Sequence, residues 1–366
     1  MIGTRKIYLY PLSLLYQLVV YFRNALFTLS IIKSKEYKIP VICVGNITVG
    51  GTGKTPHVEY VISVLKKQVS VAVISRGYKR KSKGLFEVEQ NSTAQNAGDE
   101  PLQIKRKFPD ITVISDGNRR RAIEKLIKCE KQPGVVVLDD AFQHRFVRPG
   151  LTVLLTDYSR LITRDYMLPY GLLREPAGHK KAANIIIVSK TPEALKPIDR
   201  RLIEKEIAPK PYQHLFFTRI IYNKPVPVPF VDRTSGQTID FVSNKYDILL
   251  VSGIANSEML VSHVRKFSKA LVHLEYPDHY SYKEKDIERI TGEFKSFSVS
   301  PNKIIVTTEK DSVRLSQFGE TENFSNLPLF YIPIEVGFVT KQEEESFNKI
   351  ISNYVRKNIP VGSVHF

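Results

Sequence analysis

The chain has two cysteines, Cys43 and Cys129, among its 366 residues, and no tryptophan. The cysteines form neither a CxxC pair nor a cluster with metal-ligand spacing. That excludes a disulfide framework and a cysteine-based metal centre, and it favours a reducing compartment. Acidic residues are scarce as well. Asp and Glu total 37 against 54 Lys and Arg, a formal charge of +17, and no acid occurs before Glu36. An excess of this sign implies an anionic partner, whether nucleic acid, a phospholipid surface or a phosphorylated substrate, and composition alone does not choose among them. No uninterrupted apolar run reaches the roughly 18–20 residues that a spanning helix needs. The remainder, 42% hydrophobic and 25% charged, is globular composition and excludes wholesale disorder. The length predicts two domains with cores large enough to need no covalent staples.

The N-terminal stretch Ile7 to Phe22 is apolar but broken by Pro11, Ser13 and Gln17, and no small-x-small cleavage site follows it, which argues against a secretory signal. Leu12, Leu15, Val19, Phe22 and Leu26 recur at helical spacing, with Ser13, Gln17, Asn24 and Thr28 on a narrow polar stripe. Tyr8, Tyr10, Tyr16 and Tyr21 suit a lipid–water boundary, and Arg5, Lys6, Arg23, Lys33 and Lys35 supply only positive charge. Two readings stand side by side: a helix lying in an anionic leaflet, and a helix packed on the protein's own core. A single tilted span is a third.

From residue 39 strands and helices alternate. Apolar runs at Pro40–Val44, Val69–Ile74, Ile111–Ile114, Val135–Leu138, Leu151–Leu155 and Asn184–Val188 predict strands, and Thr55–Lys67, Pro101–Lys107 and Arg119–Lys128 predict helices between them. Continuous apolar strands separated by helices predict a mainly parallel sheet covered on both faces. The proline-rich end of Tyr212–Pro229 predicts a hinge. Beyond it Ile248–Val251, Ala270–Leu274, Lys303–Val306 and Leu327–Ile332 predict a second, smaller α/β unit. The expected division is residues 1–35 as an N-terminal membrane-interface helix, 36–228 as the core and 229–366 as a smaller C-terminal domain.

The strongest local signal runs from Val44 to Thr55: an apolar strand, the turn Thr48-Val49-Gly50-Gly51-Thr52-Gly53, then Lys54-Thr55 opening a helix. This is the strand–loop–helix setting of a phosphate-binding P-loop. Its glycines let backbone N–H groups wrap a polyphosphate, Lys54 would reach the β- and γ-phosphates, and the Thr55 hydroxyl would ligate Mg²⁺. Thr48 stands where the usual pattern has its first glycine. Val49 stands where the deviant, dimerising P-loop ATPases carry a signature lysine, which argues against a nucleotide-switched membrane tether.

Val135–Leu138 ends in Asp139 and Asp140, carboxylates at the C-terminal edge of a strand where they can hold Mg²⁺ directly or through water. Arg174 and Glu175 sit in the proline-bounded Leu168–Pro176 segment, the first a candidate phosphate contact, the second a metal or positioning group. Asp99, before a helix, reads either as an N-cap or as a general base toward an acceptor hydroxyl. His144 reads equally as a loop residue or a catalytic one. His279, in Tyr276-Pro277-Asp278-His279, joins a strand to a helix. The clusters Lys79–Lys81 and Arg119–Arg121 lack the interleaved aromatics of a nucleic-acid surface, Tyr78 apart.

In order, GNITVGGTGKTP, SRGYKR, GDEP, SDGNRR, LDDAFQHR, LPYGLLREP, SGIAN and PDHYSY make a set that resembles the tetraacyldisaccharide 4'-kinase (lipid A 4'-kinase) family up to about Ser281. The resemblance implies a P-loop NTPase-like α/β fold and ATP-dependent phosphorylation of the 4'-hydroxyl of a tetraacylated glucosamine disaccharide 1-phosphate, at the cytoplasmic face of the bacterial inner membrane. It implies ATP binding by residues 48–55, with Lys54 and Thr55 serving ATP and Mg²⁺. Asp139, Asp140 and Glu175 would serve the metal and phosphates, and Asp99 supported by His279 would activate the hydroxyl. Arg76, Arg119, Arg120 and Arg174 would contact lipid or nucleotide phosphate. The expected partners are the lipid A disaccharide precursor and an anionic membrane surface. Nucleic acid is not expected, and no protein partner is evident.

Overall fold

A computed structural model describes residues 7–228, 245–319 and 321–359, with backbone only at Glu322 and Asn323. Arg5, Lys6 and Pro229 therefore lie outside the described residues. The strands are β1 (Val41–Asn46), β2 (Val71–Ser75), β3 (Phe86–Glu87), β4 (Thr112–Ser115), β5 (Val135–Asp139), β6 (Leu151–Asp157), β7 (Ile185–Ser189), β8 (His214–Tyr222), β9 (Val226–Pro227), β10 (Tyr246–Ser252), β11 (Ser268–Glu275), β12 (Lys303–Thr308), β13 (Leu329–Ile332) and β14 (Ile334–Phe338).

They form two sheets, both mostly parallel and flanked by helices. Among the described residues the larger has nine strands, in the order β14-β8-β7-β6-β1-β5-β2-β4-β3. Strands β4, β2, β5, β1, β6, β7 and β8 run parallel, and the short β3 is antiparallel to β4. Every residue of β1, β2, β5 and β7 is buried. Strands covered on both faces need no polar side, which is why they read as unbroken apolar runs. The chain runs from β1 outward to β2 and β4, returns to insert β5 beside β1, then proceeds to β6 on β1's other side. β1 is thus the strand where the winding reverses, and in such sheets ligands bind beyond the strands' carboxyl ends at that point. The pairing register sets Val44 beside Asp139. The turn after β1 and the carboxylates after β5 are neighbours for that reason.

The smaller sheet has the order β11-β10-β12-β13-β9. Ile248 and Leu250 enter one apolar cluster with Val264 and Val306, while Leu249 and Val251 enter another with Ile290 and Phe324. The alternation is the strand period of two, filling a core on each face.

Contacts divide the chain into Met1–Ser92, Asn96–Ile220 and Val336–Phe366 on one hand, and Thr93–Gln95 with Ile221–Glu335 on the other. This differs from the sequence division: residues 1–35 fall within the first unit, the second begins at Ile221, Thr93–Gln95 group with it, and after Glu335 the chain returns to the first unit. Apolar residues of the helix Lys341–Asn358 account for that return. Phe347, Ile351 and Val355 are buried, the Tyr60 ring lies 5.4 Å from Phe338 and 5.9 Å from Phe347, and the Tyr354 hydroxyl donates to the Val41 carbonyl at 3.1 Å. The expected hinge is also shorter. His214–Tyr222 is strand, and Val226–Pro227 pairs antiparallel with Tyr331 and Phe330 at a sheet edge, where a residue without an N–H is tolerated.

The helix Tyr10–Thr28 is turned inside out relative to an ordinary surface helix. Ser13, Val20, Asn24 and Phe27 are buried, whereas Leu12, Leu15, Val19 and Phe22 are 54–65% exposed. Among the described residues, no helix is long and apolar enough to cross a membrane.

Candidate active site

The turn after β1 is built around two backbone conformations that side chains resist. Gly50 has φ +109° and Gly53 φ +82°, both in the region where only glycine is unstrained. Side chains from the end of β7 and from the loops after β6 and β7 hold its carbonyls. Arg160 donates to Val49 O at 3.1 Å, Lys190 to Gly51 O, and the Ser189 hydroxyl to Thr52 O at 2.8 Å. Lys190 is itself steadied by Asp157 at 2.9 Å. From inside, Asn46 Nδ2 donates to Thr52 Oγ1 at 2.8 Å and to Thr48 Oγ1 at 3.3 Å. With these carbonyls engaged from outside, and the Val49 and Thr52 N–H groups bonded to Leu172 O and Gly50 O, the glycine backbone is left to face the mouth of the helix Lys54–Leu65. That is the make-up of an anion cradle.

His57 locks the base of the cradle. It is buried, with Nδ1 2.7 Å from Gly53 O and Nε2 2.9 Å from Thr218 Oγ1. A carbonyl only accepts, so Nδ1 carries the proton and Nε2 accepts from the threonine. Burial pushes this imidazole down to about 4, so it stays neutral.

Across from the cradle, Asp139 ends β5 fully buried. Its Oδ2 accepts from the Ser75 hydroxyl at 3.1 Å. Burial first, then the charges of Glu100 and Asp140, push its carboxyl up to about 7, opposed by Lys54. Asp140 has φ +48°, a left-handed conformation that costs of order 1–3 kcal/mol for a residue other than glycine. It is held between two cations, Lys54 Nζ 3.7 Å from Oδ1 and Arg174 3.4 Å from Oδ2. Asp139 Oδ1 and Asp140 Oδ1 are buried and lack a hydrogen-bond partner. Two buried carboxylate oxygens without a hydrogen bond, one of them facing Lys54, beside an anion cradle suit a hard divalent cation such as Mg²⁺.

Asp99 is not the cap of its helix but the first residue inside it, after Gly98. A Cβ on Gly98 would lie 2.8 Å from Gly77 Cα, and Gly98 has φ +91°. The turn carrying Asp99 therefore packs backbone to backbone on the Arg76–Arg80 loop. The Ser115 hydroxyl pins the Ala97 carbonyl at 2.6 Å. Beside this contact lies a cavity of about 440 Å³ lined by Arg76, Lys79, Arg80, Lys83 and Arg121, with Asp116 at its floor. Burial works to raise the Asp116 carboxyl, but bonds from Arg121 at 2.8 and 2.7 Å and from the Asn118 N–H hold it below the usual range. The cavity therefore keeps an excess of positive charge.

The sequence profile of a family described as tetraacyldisaccharide-1-P 4'-kinase, LpxK, matches residues 5–356. The chain belongs to this family. Relatives named tetraacyldisaccharide 4'-kinase include one from Parabacteroides distasonis, 44% identical over 96% of both chains, and one from Flavobacterium psychrophilum, 40% identical over 97% of this chain and 98% of that one. The fold is similar to the crystal structure of LpxK from Aquifex aeolicus in complex with ATP. The TM-score is 0.72 and the identity 27%, over 95% of this chain and 98% of the other.

Within this family member several expected roles shift. Arg119 is buried, its guanidinium bridging the Asp116 and Gly117 carbonyls to those of Asp139 and Asp140 at 3.3–3.4 Å. It ties two strand ends together and is not presented to a lipid. Arg120 is drawn toward Tyr37 and Glu124. Arg76 is exposed at the cavity. Glu175 is 2% exposed, and both its oxygens are taken: Oε1 pairs with Arg23, and Oε2 accepts from Asn24 at 2.8 Å and meets His179 Nδ1 at 2.7 Å. That removes it from the metal set. His144 is pushed down to about 4 by burial, then by Arg119, Arg76 and Arg120. In the second unit, His279 Nε2 accepts from Lys310 at 2.9 Å, and Arg314 approaches Nδ1 at 3.4 Å.

Sequence reasoning missed Ser75, His57, Lys190 and Glu100. Glu100 directly follows Asp99 in the sequence, and His57 falls one helical turn beyond Gly53, the spacing that lets it reach that carbonyl. For Ser75 and Lys190 only the sheet order supplies the neighbour.

Proposed function

We propose that this chain transfers the γ-phosphoryl group of ATP to the 4'-hydroxyl of a tetraacylated glucosamine disaccharide 1-phosphate, the kinase step of lipid A biosynthesis. The observation that carries the reading is the juxtaposition, at the strand where the winding reverses, of the Gly50–Thr55 cradle with a carboxylate pair holding two buried oxygens without a hydrogen bond. The family's shared name specifies the acceptor.

In this reading residues 48–55 form a P-loop, its N–H groups binding the β- and γ-phosphates with Lys54 neutralising their charge. Thr55, Asp139 and Asp140 would hold Mg²⁺, which when bound spreads the charge developing on the phosphoryl oxygens. Arg174, already on Asp140, completes the cationic wall. Asp99 accepts the proton of the acceptor hydroxyl as its oxygen bonds to the γ-phosphorus and the bond to ADP breaks. Arg76 and the cavity beside it receive the acceptor's anionic groups. His279 is assigned to the catalytic set, a role that His279→Ala tests directly. Alignment and charge neutralisation carry most of such a reaction.

The exposed apolar face of Tyr10–Thr28 is proposed to lie in the inner leaflet on the cytoplasmic side, which lets an otherwise α/β enzyme reach an acceptor held by its acyl chains. The deciding assay incubates the full-length protein with γ-labelled ATP and the disaccharide 1-phosphate in detergent micelles, then locates the label by phosphorus NMR. Label on the 4'-oxygen supports the proposal. ATP hydrolysis without transfer sinks it.

A further inference from the structure

The helix Tyr10–Thr28 and the phosphate turn share one structural rib, the segment 172–175. On one edge the rib is bonded to the turn: Val49 N–H donates to Leu172 O at 2.7 Å, Arg174 N–H to Ile47 O at 2.7 Å, and Thr48 bridges Leu173. On the other edge it is bonded to the buried face of the helix. The Tyr16 hydroxyl donates to Arg174 O at 3.2 Å, and Arg23 and Asn24 take both oxygens of Glu175. Just upstream, the Ser13 hydroxyl holds Met167 O at 2.7 Å. The helix also reaches the loop after Asp140, where Arg145 donates to Asn24 O at 3.2 Å and lies 5.3 Å over the Phe27 ring.

A buried carboxylate costs a great deal unless its partners stay in place. Arg23 and Asn24 belong to the helix and His179 to the segment after the rib, so Glu175 fixes the helix and the rib against each other. The neighbouring residue, Arg174, extends its guanidinium to Asp140 Oδ2.

We propose that Glu175 is a positioning residue: through its bonds to Arg23 and Asn24 it couples the N-terminal helix to Arg174, and so sets the phosphoryl-transfer site according to how the helix is seated. This deepens the kinase reading and rests on it. The helix then does more than bring the enzyme to lipid, because its inner face holds one wall of the site in register.

The test uses the full-length chain with ATP and the disaccharide 1-phosphate in micelles. Glu175→Gln and Arg23→Met are each expected to lower kcat by about 10²-fold, the scale set by small misplacements. KM for ATP, the Mg²⁺ concentration for half-maximal rate and sedimentation with phosphatidylglycerol vesicles should stay within about two-fold of wild type. Arg23→Lys should restore much of kcat. Glu175→Gln combined with Arg174→Met should be no worse than Arg174→Met alone, since one acts through the other. Thermal unfolding and nucleotide binding of each variant separate misfolding from mispositioning, and a rate loss that simply tracks unfolded protein overturns the proposal. So does a wild-type kcat in Arg23→Met, or a Glu175→Gln defect repaired by extra Mg²⁺, which would return Glu175 to the metal. Absence of transfer by the wild-type chain would instead defeat the kinase reading itself.

Discussion

Lys54 Nζ stands 3.7 Å from Asp140 Oδ1, so the cation of the glycine-rich turn leans on the carboxylate pair of the next strand. The contact joins the two halves of the proposed site and places a positive charge where a transferring phosphoryl group would need it. Lys54→Ala is expected to lower kcat by about 10²–10³-fold, the usual effect of removing one charge-stabilising group, while the protein stays folded. Steady-state kinetics with a matched thermal melt check this, and wild-type turnover would exclude the turn from the chemistry.

Asp99 sits at the start of its helix on a turn that only glycine at position 98 permits. Asp99→Ala should reduce turnover by about 10²–10⁴-fold with little change in ATP affinity, as expected for loss of a general base. Comparing kcat with the dissociation constant of a fluorescent ATP analogue decides it. A parallel loss of both would assign Asp99 to nucleotide binding.

Asp139 has a testable acid–base signature. Its carboxyl is pushed up to about 7 by burial and then by Glu100 and Asp140, above an unfolded value of about 3.9. A carboxyl raised on folding is harmless below its unfolded value and costs stability progressively as pH climbs through that value toward 7. Asp139→Asn removes this cost. Without divalent cations, the melting temperature of the variant minus that of wild type should therefore increase between about pH 5 and about pH 7.5. A flat difference would mean that the carboxylate is already stabilised in the folded chain.

Leu15 and Phe22 are 59% and 65% exposed, so replacing both with Glu disturbs little packing but places two negative charges on the outward face of the helix. The double variant should lose sedimentation with anionic vesicles and keep its melting temperature. Persistent sedimentation would move the membrane contact elsewhere.

Much of the architecture was legible because it depends on local pattern. The buried strands read as apolar runs, and β5 and β6 begin where those runs begin, at Val135 and Leu151. The phosphate turn and the acidic pair were legible because glycine, lysine and carboxylates at strand ends have few other uses. The roles of Arg119, Arg120 and Arg121 were not. Consecutive helical residues point about 100° apart, so three identical side chains diverge: one to strand-end carbonyls, one toward Tyr37, one to Asp116. Which direction holds which partner depends on sheet order. For Glu175 the sequence left two readings open, metal or positioning, for a related reason: Arg23 and Asn24 lie about 150 residues earlier, on a helix whose polar stripe through Asn24 marked a face without saying what it would meet.

Pro227 occupies the short edge strand β9, against β13. An edge that ends on a residue unable to donate cannot template another strand. Among the described residues, the smaller sheet is therefore blunted against growth on that side. For a protein proposed to gather at a crowded lipid surface, where effective concentrations are high, this is a safeguard against edge-to-edge aggregation that neither the catalytic residues nor the membrane helix would provide.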